Sequence, residues 1–290
     1  MAAVGRAYLP AVVSVVVPAH NEARVIGRLL GQLVAAVRPG ELDVIVVANG
    51  CTDDTAEVAA SFGPPVRVVS IPVASKRAAL VAGDEAARDF PRLYVDADVE
   101  LGTEDIRALD EALRRSGALA AGPQRVLALA GSPWLVRWYY DVWAQLPEVR
   151  SGLFGRGVIG LSEAGHARVA SLPPLLADDL AASLVFAPDE RVIVAGARVV
   201  IHPPRTAADL LRRRVRATMG VTQVEQEEGA PGSTARTRPA DLLAIIGRDP
   251  RMALRVGVFM AVAVLARLRA RRAVRRRDYS KWLRDESSRR

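Results

Sequence analysis

The first hundred residues alternate between two patterns. Short unbroken apolar runs are followed by stretches in which apolar residues recur every three or four positions. Ala11-Val-Val-Ser-Val-Val-Val17 is β-branched on both alternating faces, the pattern of a strand covered on both sides. Pro18-Ala-His-Asn-Glu22 breaks the run, and Val25, Ile26, Leu29, Leu30, Leu33 and Val37 then fall on one helical face. Asn21 is placed to cap that helix, and Pro39-Gly40 to end it. Leu42 to Ala48 reads as a second buried strand, Ala56 to Phe62 as a helix stopped by Gly63-Pro-Pro65, and Val66 to Ile71 as a third strand. Ser75 to Asp89 reads as a helix whose Ala79, Ala82, Gly83 and Ala86 allow close packing, and Leu93 to Val95 as a fourth strand. Strand and helix in strict alternation with short links predict a mostly parallel α/β sheet flanked by helices, with ligands beyond the carboxyl ends of the strands.

The later pattern is less regular. Thr103 to Ser116 reads as a helix with Thr103 at its start, and Ala118 to Ala130 as an extended segment broken at Gly122-Pro123. Ser132 to Val149 gathers Trp134, Trp138, Tyr139, Tyr140 and Trp143, either a packed core helix or an aromatic wall for a sugar or lipid. The glycine-rich Gly152 to Leu161 suggests a strand closely approached by another backbone or a ligand. An acidic pair, Asp178 and Asp179, opens an expected helix from Leu180 to Phe186, and Arg191 to Ile201 reads as a late strand. Leu210 to Arg216 is a basic helix, Thr222 to Pro239 a polar linker expected to be mobile, and Asp241 to Ala266 a helical pair or one helix kinked at Asp249-Pro250.

Composition narrows the function classes. The chain has 290 residues, half of them hydrophobic, enough for a sizeable core. One cysteine, Cys51, excludes a disulfide framework, and no Cys/His set has zinc spacing. The net charge of +8 belongs largely to the stretch from Arg267 onward. The apolar run Val256 to Ala266, bounded by Arg255 and Arg267, falls short of the roughly 20 residues that span a bilayer. Beside that arginine cluster it reads either as an interfacial helix on an anionic membrane surface or as a packed helix with a basic end. No targeting pattern opens the sequence, so a cytoplasmic location is expected, with peripheral contact at the membrane face. No nucleic-acid-binding module is visible, and no nucleic-acid partner is expected.

The chemistry concentrates in Asp96-Ala-Asp98, where an apolar strand runs into two carboxylates. Two hard oxygen donors at one turn suit Mn²⁺ or Mg²⁺ bridging to a substrate phosphate; the alternative is a solvated strand end. Neither a G-x-G-x-x-G nor a G-x-x-x-x-G-K-[ST] loop is present, which argues against a dinucleotide fold and a P-loop enzyme.

These residues together carry a resemblance. Val-Val-Pro18-Ala-His-Asn-Glu22, Ala48-Asn-Gly-Cys-Thr-Asp53-Asp-Thr55, Lys76-Arg-Ala-Ala-Leu and Asp96-Ala-Asp98 resemble, in order and spacing, the family 2 glycosyltransferases of the GT-A fold. Ala177-Asp-Asp-Leu180 and Arg213-Arg-Val-Arg216 extend the likeness to about residue 220. The resemblance implies an inverting transfer of a sugar from a nucleotide-diphosphate donor to an acceptor hydroxyl. It implies that Pro18, Ala19, His20, Glu22, Asn49 and Asp53 line the nucleoside pocket, and that Lys76 approaches the nucleotide or pyrophosphate. Asp96 would face the ribose and sugar, Asp98 would bind the divalent ion beside it, and Asp179 would be the general base, with Asp178 where many members have Glu. Arg213 and Arg216 would close over the diphosphate. The implied division is a GT-A catalytic domain over 1–220 (nucleotide-sugar half about 11–100, acceptor half about 101–220), a linker over 221–240 and a helical, Arg-rich extension over 241–290.

The sequence departs from the family at Ala48-Asn49, where many members have two acids, at Ser75 for the usual Gly, at Cys51 for the usual Ser and at Ala217 for the usual Trp. His202 reads as a strand-end residue, although a late His is a metal ligand in some GT-A enzymes. The acceptor expected from the basic tail is lipid-linked or membrane-proximal. A nucleotidyltransferase of related fold, or a nucleotide-sugar-binding protein without turnover, shares the sheet and the acids.

Overall fold

The computed structural model describes residues 12–172, 183–226 and 237–275. Its centre is a seven-stranded sheet of order β3-β2-β1-β4-β6-β5-β7. The strands are β1 (Val13–Ala19), β2 (Leu42–Asn49), β3 (Val66–Ile71), β4 (Arg92–Val95), β5 (Ala120–Leu127), β6 (Val158–Leu161) and β7 (Arg191–Ile201). β1 lies parallel between β2 and β4, with Val13 opposite Leu42 and Ala19 opposite Ala48. β6 runs antiparallel to both β4 and β5, and β5 pairs in parallel with β7. The sheet is therefore mostly parallel, as the strand–helix alternation requires.

Helices α1 (Ile26–Val34), α2 (Thr55–Ala60), α3 (Lys76–Ala86) and α4 (Thr103–Ser116) cover the two faces. α1 and α4 seat Ile26, Leu29, Leu30, Leu33, Ile106 and Leu109 on one side of β1, β2 and β4, while α3 lies against Val16, Ile45 and Val47 on the other. α3 approaches so closely at Gly83 that a Cβ there would lie 2.3 Å from Val16 Cγ1.

Three local expectations change. Asn21 does not cap α1. It takes φ 52°, its side-chain oxygen accepts from Thr52 N at 2.8 Å, and the helix begins only at Ile26. Thr103 does not cap α4 either. Gly102 stands at that position, and the Thr103 hydroxyl donates to the Leu33 carbonyl at 2.9 Å, tying α4 to the end of α1. The glycine-rich 152–161 segment is extended only over Val158–Leu161.

The reason for the last change is a pair of guanidinium groups, Arg156 buried and Arg125 partly buried. Arg156 donates to the carbonyls of Gly152 (2.8 Å), Pro123 (2.7 Å) and Arg150 (2.9 Å). Arg125 donates to Gly155 and Phe154, both at 2.9 Å, and stacks over the Trp143 ring. Loop carbonyls that would otherwise be stranded are thereby paired. Burial pushes both arginines below their ordinary range, Arg156 to about 10 and Arg125 to about 9; the Arg156 and Arg213 charges depress Arg125 further.

Beyond the sheet, α5 (Trp134–Trp143) and α6 (Pro147–Ser151) follow β5, α7 (Glu163–Ala170) follows β6, and α8 (Ala207–Gln226) follows β7. α8 is longer than the basic patch it contains, so the expected linker opens as helix through Gln226. The chain then breaks at Asp249-Pro250 as the sequence indicates: α9 (Pro239–Arg248), a 3₁₀ turn at Pro250–Met252, and α10 (Ala253–Arg275). The aromatic segment divides between its two readings. Tyr139 and Tyr140 are buried, and Tyr139 stacks on Phe259 of α10 at 5.0 Å, whereas Trp134 is exposed.

Gly83→Ala should destabilise the domain by about 1–3 kcal/mol, because overpacking against Val16 outweighs the helical preference for alanine. Urea denaturation measures it, and an unchanged midpoint would contradict the close approach. Arg156→Met should cost about 3 kcal/mol or more, since it leaves several buried carbonyls unpaired at about 1–3 kcal/mol each. A variant as stable as the parent would show that the loop does not depend on its guanidinium.

Candidate functional site

Because β1, β2 and β4 are parallel, their carboxyl ends open on one edge of the sheet, and the loops after them meet there. Val13 to Ala19 and Leu42 to Asn49 are almost wholly buried, so their apolar side chains leave polar chemistry only to the strand ends.

The first two loops are knitted together. His20 Nδ1–H donates to the Asn49 carbonyl at 2.6 Å, and the Asn49 amide donates to the Ala19 carbonyl at 2.8 Å. Glu22, buried, donates its backbone N–H to the Thr55 hydroxyl. Asp53 accepts from Ala23 N and Thr55 N, both at 3.2 Å, and from the Thr55 hydroxyl. Burial pushes the Asp53 carboxyl upward, but these hydrogen bonds outweigh it and hold the group below its ordinary value. Asp53 thus clamps one loop to the other. Cys51 does similar work more weakly, its sulfur 3.5 Å from both Ala19 O and Asn21 N. The Asn49 Oδ1 is buried and has no hydrogen-bond partner among the described residues.

The third loop brings the carboxylates. Asp96 follows the last residue of β4, and its N–H donates to the Gly157 carbonyl at 2.8 Å. Gly157 has φ +67°, and a Cβ there would lie 2.6 Å from Val99 and 3.3 Å from Asp96 Oδ2, so only glycine lets the stapled loop lie against this turn. Lys76 opens α3, whose N-terminus Ser75 caps by accepting from Ala78 N. Its Nζ reaches Asp96 Oδ1 at 2.8 Å, both side chains part exposed. Asp98 offers its carbonyl to Arg28 at 3.3 Å. The same Arg28 pairs with Glu100, which also accepts from Gln32 (3.2 Å) and from His202 Nε2–H (2.7 Å). Burial pushes Glu100 upward, and those hydrogen bonds with the Arg28 charge bring it below its usual value. His202, at the end of β7, is therefore tied to the turn that carries Asp98.

The structure thus brings Pro18, Ala19, His20, Glu22, Asn49, Asp53, Lys76, Asp96 and Asp98 to one edge. Arg213, on α8, lies within electrostatic reach of Arg125; Arg216 is exposed on the same helix. Asp178 and Asp179 lie outside the described residues. Arg125, Arg156, Glu100 and Arg28 were not legible as site-forming residues. Nothing in the local spacing marks Arg156 as a staple for its own loop, or Arg125 as one for a loop thirty residues away.

Among the described residues no group of three His, Cys, Asp or Glu side chains is placed to hold a metal ion. Asp96 and Asp98 supply two carboxylates at one turn, the hard oxygen donors that Mn²⁺ or Mg²⁺ takes in such number when substrate phosphates complete the shell.

Residues 14–145 match the model of Glycosyl transferase family 2. An uncharacterized glycosyltransferase of Mycobacterium tuberculosis is 34% identical over 125 residues, 43% of this chain and 54% of that protein, so the chain spans about half the length of the curated relatives it matches. A mannosyltransferase from Pyrobaculum calidifontis, in complex with GDP-Man and Mn²⁺, superposes with TM-score 0.57 at 17% identity over 92% of this chain and 76% of its own. Glucosyl-3-phosphoglycerate synthase from Mycobacterium tuberculosis, in complex with Mn²⁺, uridine-diphosphate and glucosyl-3-phosphoglycerate, superposes with TM-score 0.52 at 23% identity over 72% of this chain and 79% of its own. These two likenesses carry the fold. With the family match over the β1-to-α5 region, they lead to one conclusion: the sheet has the GT-A fold, and within it residues 14–145 are similar to Glycosyl transferase family 2.

Proposed function

We propose that the protein transfers a sugar from a nucleotide-diphosphate donor to an acceptor hydroxyl with inversion, using Asp179 as general base. The observation that carries the reading is the meeting of the Asp96 turn, Lys76 and the two knitted loops on one edge of the sheet.

The donor's nucleoside belongs against Pro18 to Glu22 and Asn49. The open Asn49 oxygen accepts a base N–H there, and His20 and Asp53 hold the pocket in shape. Lys76, poised beside Asp96, brings a positive charge to the diphosphate, and Asp96 faces ribose and sugar. A Mn²⁺ or Mg²⁺ ion held by Asp98 and Asp96 would supply charge against the leaving diphosphate when bound. Arg213 and Arg216 add donors that count most as that charge grows. Asp179, with Asp178 beside it, takes the acceptor proton while the acceptor oxygen attacks the anomeric carbon. The bond to the diphosphate breaks, and free nucleoside diphosphate leaves. One base and no covalent intermediate suffice for this displacement. The acceptor class that suits a basic, apolar C-terminal extension is membrane-proximal and lipid-linked.

The donors of the structural neighbours, GDP-mannose and UDP-glucose, open the screen, read as nucleoside diphosphate release with Mn²⁺. Pyrophosphate release, or binding without turnover, would overturn the proposal. Asp179→Asn should lower kcat about 10²–10⁴-fold with donor affinity nearly unchanged; full turnover in this variant would remove Asp179 from the base role. Asp98→Asn should raise the Mn²⁺ concentration for half-maximal activity at least tenfold, and chelation should silence the parent enzyme. Identical Mn²⁺ titrations for parent and variant would count against Asp98 as a ligand.

A further inference from the structure

The C-terminal helix α10 is apolar on two opposite faces, and the molecule covers only one of them. Val256, Phe259, Val262 and Ala266 are buried against α5 and α8, with Tyr139 stacked on Phe259. The run that the sequence leaves open between an interfacial helix and a packed one is thus spent on internal packing along one face. The opposite face carries Leu254, Gly257, Ala261, Val264, Leu265 and Leu268, spaced three and four apart, and all six are exposed. Leu254 is 66% exposed, and Leu265 and Leu268 are each 47% exposed. Five of the ten exposed large hydrophobic residues among those described lie on this one helix, so the exposure is concentrated in one place. Leu243 on the preceding α9, 68% exposed, adds to it.

We infer that this second face of α10 lies in the plane of an anionic lipid surface. The charge pattern selects the occupant. Arg267, Arg269, Arg271 and Arg272 are exposed at the C-terminal end of the stripe, and from Ala253 to Arg275 the helix has no Asp or Glu. A second copy of the chain would bring the same arginines and no carboxylate of its own α10 to meet them. An anionic headgroup layer meets the arginines with phosphates while the leucines enter the acyl boundary, and the long arginine stems let both happen at once. No described helix is long and apolar enough to cross a membrane, so the helix lies along the surface. The placement stands apart from the transfer reaction and deepens the proposed acceptor class: a helix docked to α5 and α8 would hold the catalytic domain against the bilayer in which a lipid-linked acceptor resides.

The test is co-flotation of the full chain with vesicles of pure phosphatidylcholine and of phosphatidylcholine with phosphatidylglycerol, without donor or metal. The expected result is binding to the anionic vesicles that weakens as salt rises. The variant L254Q/L265Q/L268Q should bind at least tenfold more weakly, and the single exposed change L254Q should weaken binding in the same direction if the triple variant is poorly folded. Replacing the four arginines with glutamine should weaken binding and flatten its salt dependence. Parent protein that stays in solution, binds both vesicle types equally, or binds regardless of these substitutions overturns the inference. So does a dimer in light scattering that the leucine substitutions dissociate, which would assign the face to a second copy. Nucleoside diphosphate release in the absence of vesicles reads the transfer reaction separately, so loss of one does not masquerade as loss of the other.

Discussion

The constraint on which the rest depends is the double coverage of β1, β2 and β4. With helices on both sides, β1 and β2 cannot carry polar side chains along most of their length, and the parallel arrangement sends the carboxyl ends of all three strands the same way. Polar residues accumulate where burial ends. The loops after β1 and β2 satisfy each other through His20, Asn49, Asp53 and Thr55. Loops tied together in this way have less conformational entropy left to lose in binding anything that lies on them.

The third loop is held differently. Asp96 is positioned by Lys76 in front and by Gly157 behind, and Gly157 is positioned by the arginine-stapled loop from 149 to 157. Among the described residues no carboxylate pairs with either guanidinium group; burying them so is costly, and their downward shifts register that cost. Carbonyl acceptors offset it, and the gain is a rigid backing for the carboxylate turn. On the far side, Arg28 joins Asp98 and Glu100 to α1, and Glu100 joins the same turn to β7 through His202. A change at β7 therefore has a short physical route to the Asp98 turn.

The departures from the family pattern acquire reasons in this setting. Ser75 in place of glycine caps α3 and so fixes the base from which Lys76 reaches Asp96. Cys51 in place of serine keeps weak contacts to the backbone of the first loop. Asn49 in place of an acid donates its amide to Ala19, and its oxygen meets no partner among the described residues.

The sequence by itself determined the strands, the order of the motifs and the edge on which they gather. Unbroken β-branched runs and three- to four-residue periodicity are local consequences of burial, and parallel topology then fixes which loops are neighbours. It did not determine how the side chains in those loops pair. Asn21 and Thr103 both have the chemistry of helix caps, yet each is drawn to a partner far along the chain, to Thr52 and to Leu33. Nor could it say that Arg125 and Arg156 hold a glycine loop, or which face of α10 is spent on Tyr139 and which is left over. These are choices among competing partners of similar local merit, and only the packing of distant elements into one volume decides them.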